Sequence, residues 1–333
     1  MKNQPAFVAR MCKNAYLQRM RAFSHFLLAI VGTLLLAALL VGPLYVGIDG
    51  AAHAIPFPKL ASRLWQLSMV GGVAWLVWRL QLHGKADWGY GTPRAKFLRQ
   101  LGWGTAIGIA TMLPVAAMVS GLELRTPRPG LDVARLVELF FSGALTGLAV
   151  GFLEETFYRG LLLGALLPTG TAASATSSAN PPVHRAAWSL GVAIVASSAL
   201  FASLHFLARS KLDPSAVQWT SGFDLLQQSL RYFANPATMA DSFLALTAVG
   251  VLLALARVLT GNIALAVGLH AGWVWVMKMS VGATYLNPEA PLAWLISPID
   301  GFTGWLVLGW TLGLTALAWR WRGKLAHWLN AER

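Results

Sequence analysis

Gly151-Phe152-Leu153-Glu154-Glu155-Thr156-Phe157-Tyr158-Arg159-Gly160 sets two adjacent carboxylates and an arginine inside an apolar run reaching from Leu136 to Leu167. Of the chain's 13 acidic residues, only Glu154 and Glu155 lie deep within such a run. An ionisable group at membrane depth costs about 2.5–3.5 kcal/mol even on insertion scales, so this stretch predicts a functional site as well as a span.

The surrounding composition fixes the class. Hydrophobic residues make up 56% of 333 positions and charged residues 12%, and mean hydropathy is +0.57. A soluble domain carries about twice that charged fraction, so the chain reads as a polytopic membrane protein. The formal charge of +13 could suggest nucleic acid. Its Lys and Arg, however, gather at span ends and termini, with no basic segment interleaved with aromatics, which is the pattern of a topology signal. Cys12 is the only cysteine, which excludes an intramolecular disulfide and a cysteine-based metal site.

A helix needs about 20 apolar residues to cross the hydrocarbon core. Eight stretches meet that: 26–48, 64–82, 101–122, 136–167, 186–207, 242–259, 262–282 and 303–320. Backbone polar groups in lipid must be satisfied internally, so all eight are expected to be helices of one all-α bundle. The first follows a basic segment (Lys2, Arg10, Lys13, Arg19, Arg21), and Ala52-His53-Ala54 mimics a cleavage site. Its apolar run far exceeds the ~7–15 residues of a signal peptide, which predicts a retained span. The basic N-terminal segment, the 79–99 linker and the tail from Arg320 place both termini in the cytoplasm. Trp305, Trp310, Trp319, Trp321 and Trp328 suit interfacial anchoring of the last span. The loop at 169–185, rich in Ser, Ala and Thr, is expected to be flexible. Phe223, Leu226, Leu230 and Phe233 recur at helical spacing in the long 208–241 connection and predict a short amphipathic helix at the membrane interface.

Within the fourth span, Gly143, Gly147 and Gly151 recur every four residues, a face that admits a close neighbouring helix. Glu154 falls one turn further on, followed by Tyr158, and is expected to point into the bundle. Glu155 and Arg159 are four apart with the acid N-terminal, the favoured pairing orientation. The fifth span ends in Phe201-Ala202-Ser203-Leu204-His205, where Phe201 shares a face with His205 and would support its ring. The seventh carries Gly268-Leu269-His270-Ala271-Gly272-Trp273. Of seven histidines, only His205 and His270 lie within apolar spans. Two chemistries suit a carboxylate and two imidazoles on three helices. Glu154 could take a proton from water while the histidines orient it and stabilise an oxyanion. Alternatively Glu154, His205 and His270 could ligate zinc with one position open, although no helix carries HExxH.

Glu154-Glu155-xxx-Arg159, Phe201-xxx-His205 and Thr260-Gly261-Asn262…His270 resemble the three motifs of the CAAX-protease and bacteriocin-processing (CPBP) family of intramembrane endopeptidases, which includes type II CAAX prenyl endopeptidases. The likeness covers roughly residues 136–282, preceded by an N-terminal part (1–135) with three spans and followed by the last span and basic tail (283–333). It implies a membrane-embedded glutamate-type protease, lodged in a bacterial inner (plasma) membrane and acting on a membrane-anchored protein or peptide. By the resemblance Glu154 is the general base, His205 and His270 assist, and Glu155 and Arg159 support; no cofactor is implied. The family's third motif usually has Asn or a similar polar residue four positions after its histidine, where this chain has Val274. Trp273 is either a substitute N–H donor or a packing aromatic. A lost oxyanion donor reduces turnover by about 10²–10³, so an inactive relative serving as a bacteriocin-immunity or partner-binding scaffold is the alternative. A proton-coupled transporter would also use a buried carboxylate but leaves the two histidines unexplained. Counted along the helices, the site lies at mid-membrane or beyond as seen from the cytoplasm, whereas CAAX-type processing implies cytoplasmic access.

Overall fold

The computed structural model describes residues 4–47, 55–167, 183–207 and 217–331. The Ala52-His53-Ala54 site and most of the 169–185 loop fall outside the described residues. The chain begins with α1 (Gln4–Gly47), α2 (Phe57–Leu80) and α3 (Arg94–Gly121), then a short strand β1 (Arg125–Pro127). α4 (Val133–Glu155) runs without a break into a π-helical segment, Thr156–Leu162, and a final turn α5 (Leu163–Leu166). After α6 (Val183–Leu204) and α7 (Ser221–Ala234) come α8 (Ala240–Thr260), α9 (Ala264–Ala283) and β2 (Thr284–Leu286). The series ends with α10 (Trp305–Arg320) and α11 (Arg322–Asn330).

The expected all-helical architecture holds, apart from the two-stranded antiparallel ribbon that β1 and β2 form. Among the described residues, five helical segments are long and apolar enough to cross a membrane: Leu17–Gly47, Arg94–Gly121, Val133–Leu166, Ala240–Thr260 and Ala264–Ala283. Three of the eight predicted spans do not reach that standard. α10 has 16 residues, about 24 Å against a hydrocarbon core of about 30 Å. The apolar part of α6, Leu190–Leu204, is shorter still, and α2 carries Lys59, Arg63 and Arg79 along its length.

The chain divides into two compact units. The first holds α1, α2, α7 and the turn at 205–207 that follows α6. Here α7 occupies the place predicted for an amphipathic helix and packs on α1 through its small residues. Gly222 meets the Ala38 carbonyl so closely that a Cβ would overlap it, and Leu225 and Ser229 are buried beside it. Phe223, Leu230 and Phe233 are exposed.

The second unit is built on α9. Its Gly268 and Gly272 meet Gly104 and Gly108 of α3, where a Cβ on Gly108 would come within 2.5 Å of the Leu269 carbonyl oxygen. On its other side, Gly147 and Gly151 of α4 lie against the Ala271 and Val267 carbonyls. Small residues on both flanks thus draw three helices to backbone contact, the association mode available where lipid gives apolar side chains no reason to prefer each other. At one end of these helices the ribbon pairs Thr126 with Tyr285. Buried Arg125 ties it down, donating to Thr284 Oγ1 at 2.7 Å, the Gly301 carbonyl at 2.8 Å and the Thr284 carbonyl at 3.1 Å. Burial draws this guanidinium below its ordinary pKa, Arg128 adds to that, and Asp300 opposes it.

At the other end, α8 stops at Gly261, whose φ of +73° turns the chain sharply into α9. Buried Asn262 accepts from the Ala264 N–H at 2.9 Å and donates to Gln100 Oε1 at 2.7 Å. Gln100 passes the connection on, donating to the Leu329 carbonyl of α11 at 2.9 Å. This relay ties the C-terminal helix to the turn that launches α9. Replacing Gln100 by Leu leaves the buried Leu329 carbonyl unsatisfied and is expected to destabilise the fold by about 1–3 kcal/mol. Thermal melting of the purified protein measures it, and an unshifted midpoint would deny the relay a stabilising role.

Candidate active site

The glycine seam on α4 decides where the two carboxylates go. It advances in steps of four, so its next member after Gly151 is Glu155, which is fully buried, while Glu154 keeps 30% of its side chain exposed. The neighbour predicted to point into the bundle is therefore the more accessible of the two.

Glu155 Oε1 accepts from Arg159 Nη1 at 2.9 Å, the predicted four-residue pair, and also from His270 Nδ1 of α9 at 2.8 Å. Arg159 is itself buried: its Nη2 donates to the Gly250 carbonyl of α8 at 3.2 Å, and its guanidinium lies 4.4 Å from the centre of the Phe201 ring. Phe201 in turn sets its ring edgewise to Tyr158, at 5.1 Å, and to His270, at 6.1 Å. Tyr158 and Arg159 both belong to the π-helical segment, a local widening of the helix that recurs at functional sites. The result is one buried network in which a carboxylate, a guanidinium and two aromatic rings fix the position of a single imidazole.

That position has a chemical consequence. An ionised carboxylate only accepts, so Nδ1 of His270 carries the proton toward Glu155. Nε2 then lies on the opposite side of the ring, 3.9 Å from Glu154 Oε2. That separation is beyond a direct hydrogen bond and within the range that a bridging water spans. Glu155 Oε2 has no hydrogen-bond partner among the described residues.

His205 lies in the turn at 205–207, in the first unit, and is half-buried there. Trp273 donates its indole N–H to Thr111 Oγ1 of α3 at 3.0 Å, so this donor is engaged in packing α9 on α3. Trp310, expected at the interface, donates to the Thr111 carbonyl at 2.9 Å. Val274 is half-buried on α9. Among the described residues, no group of three His, Cys, Asp or Glu side chains could hold a metal ion.

Several partners had no local signal in the sequence. Gly250, which supplies a carbonyl to Arg159, and Thr111, which accepts from Trp273, sit in unremarked apolar runs. The linker is another. Tyr90 bonds Thr156 Oγ1 at 2.6 Å, Gly160 lies against the Trp88 carbonyl, and Gly89, at φ +81°, accepts from the Ile263 N–H at 3.1 Å. Residues 88–90 therefore touch both the segment that follows Glu155 and the start of the helix that carries His270.

The model of the type II CAAX prenyl endopeptidase Rce1-like family matches residues 136–276, which bears out the resemblance read from the motifs. The matched segment contains Glu154, Glu155, Arg159, His205 and His270. No curated protein and no solved structure matches the chain. That family is a protease family, and with five span-length helices among the described residues the chain is an integral membrane protein.

Proposed function

We propose, with residues 136–276 matched to the type II CAAX prenyl endopeptidase Rce1-like family, that this protein is an intramembrane endopeptidase acting on a membrane-anchored protein or peptide. The observation that carries the reading is the 2.8 Å bond from His270 Nδ1 to Glu155, which leaves Nε2 facing the partly exposed Glu154 at 3.9 Å. A water between Glu154 and His270 is the nucleophile. Glu154 removes one of its protons, His270 Nε2 accepts a hydrogen bond from the other, and the oxygen bonds to the scissile carbonyl carbon. The motif resemblance alone assigns His205 to the developing oxyanion. Collapse breaks the C–N bond, and the leaving amine takes the proton held by Glu154. Glu155, Arg159, Phe201 and Tyr158 hold His270 in register and do not touch substrate.

The contact of residues 88–90 with this end of α4 and α9 supports substrate access from the linker's side. That side is the cytoplasm by the charge rule. Arg99 also donates to the Ala331 carbonyl at 2.6 Å, which joins the linker's end to the tail and agrees with a shared face.

The test is cleavage of a reporter peptide carrying a lipid anchor near its C-terminus, in vesicles holding the purified protein. Glu154→Gln is expected to lower turnover by about 10²–10⁴ with the fold intact; cleavage at the wild-type rate would remove Glu154 from the mechanism. The same preparation decides metal dependence, with activity expected to survive a chelator and zinc expected well below one per chain.

A further inference from the structure

One buried charge of the second unit has no part in the proposed hydrolysis. Arg257, in the last turn of α8, is 8% exposed, and no carboxylate pairs with it among the described residues. Taking a guanidinium out of water without a counter-charge is costly. What the side chain secures there is a single hydrogen bond among the described residues, from Nε to the Arg159 carbonyl at 3.3 Å.

That carbonyl is the one the π-helical segment leaves over. In an α-helix the Leu163 N–H would bond to the Arg159 carbonyl. Here it bonds instead to the Tyr158 and Gly160 carbonyls and passes Arg159 by. A buried carbonyl skipped in this way needs a donor from outside the helix, and Arg257 Nε is that donor. Arg159 is thereby held to α8 from two sides. Its Nη2 donates to the Gly250 carbonyl at 3.2 Å, and its own carbonyl accepts from Arg257. Gly250 and Arg257 stand two turns apart on one face of α8, about 10 Å along its axis. The linker covers the second attachment: a Cβ on Gly89 would lie 3.5 Å from Arg257 Nε and 2.6 Å from Ile263 Cγ2. Without the Arg257 bond nothing opposes a return of the segment to α geometry, which would turn Arg159 about the helix axis relative to Glu155. We infer that Arg257 is a positioning residue, which pins the π-helical segment at Arg159 and through Arg159 and Glu155 fixes the tautomer of His270. The inference rests on the roles proposed above for Glu155 and His270.

Three substitutions separate the donor from the charge. In Arg257→Gln the amide nitrogen takes the place of Nε, so the donor stays and the charge goes. Arg257→Met puts a methyl group at that place. Arg257→Lys puts a methylene there and keeps the charge one atom further out. With the whole purified chain in vesicles and the lipid-anchored reporter, Arg257→Met and Arg257→Lys are expected to lower kcat by about 10–10² with KM nearly unchanged. Arg257→Gln should turn over within about twofold of wild type, since its hydrogen bond survives. Side-chain ¹⁵N spectra of histidine-labelled protein supply a readout that needs no cleavage. His270 should show one form protonated on Nδ1 in the wild type and in Arg257→Gln, and a mixture of tautomers in the other two. Equal kcat in all four proteins would overturn the inference. So would a loss in Arg257→Gln as large as in Arg257→Met, or an effect carried by KM, either of which would assign the guanidinium to binding an anion. If Arg257→Met does not fold, Arg257→Gln against Arg257→Lys decides the matter. A wild-type protein that fails to cleave the reporter would count against the proposed function, and the His270 spectra would still judge Arg257: identical spectra in Arg257→Gln and Arg257→Lys would deny it the role.

Discussion

Glu155→Gln destabilises the protein by about 3–5 kcal/mol and, in whatever folds, lowers cleavage about as severely as loss of the general base itself. The first effect follows from burial. Arg159 and Glu155 are almost wholly inaccessible, and the amide leaves a buried guanidinium without its counter-charge. The second follows from the tautomer. Glu155 Oε1 takes the proton on His270 Nδ1. An amide that turns its NH₂ toward the ring would drive the proton to Nε2, the nitrogen that faces Glu154. A double variant separates the two effects. Glu155→Leu with Arg159→Met removes both charges and should recover most of the stability, since a buried pair replaced by apolar groups of similar size is often neutral or better. It should recover none of the cleavage, because His270 still lacks its acceptor. Melting midpoints and turnover measured on the three proteins are the readouts. Cleavage restored in the double variant would show that Glu155 acts only through the fold.

The second large effect is expected at Gly268. A Cβ there would stand 2.7 Å from the Thr105 nitrogen and 2.9 Å from the Gly104 carbonyl carbon. These are backbone atoms of α3 and cannot turn aside as a side chain would. Gly268→Leu must therefore push α3 and α9 apart, and α9 cannot retreat, because Gly147 and Gly151 hold it from the other side. The strain reaches or exceeds the upper part of the usual overpacking range of about 1–3 kcal/mol. Loss of monodisperse folded protein is the expected result. Gly102→Ala on α3 is the control, since nothing lies within 4 Å of its would-be Cβ. There the better helix former should stabilise by up to about 1 kcal/mol. Equal yields of the two variants would mean that the glycine contact does not govern assembly.

Much of this arrangement was legible in the sequence because membrane depth makes each ionisable residue conspicuous. Glu154, Glu155, Arg159 and His270 stood out against apolar runs, and the four-residue spacing of Gly143, Gly147 and Gly151 named the packing face before any coordinates. Which carboxylate continues that face was not legible: a seam with steps of four and a helix of 3.6 residues per turn leave i+3 and i+4 close rivals, and contact with α9 favours Glu155. The count of eight spans was not reached among the described residues for a different reason. Hydropathy marks α2, α6 and α10 as apolar, but length and charge keep them below the standard that the other five meet. The relay from Leu329 through Gln100 to Asn262 was invisible, because no local pattern links residues more than 150 positions apart.

The π-helical segment bears on how this chain is compared with others. Bonding from i to i+5 between Thr156 and Leu162 accommodates about one residue more than a plain α-helix would over the same rise. A related chain whose helix stays α throughout would need one residue fewer to bring an arginine and a tyrosine to the same faces. The alignment gap that results belongs inside 156–162 and not in the variable loop beyond Leu167. Misplaced by that one step, Tyr158 or Leu161 would be matched to positions about 100° away around the helix, and a shared aromatic support for the histidine would be scored as a difference.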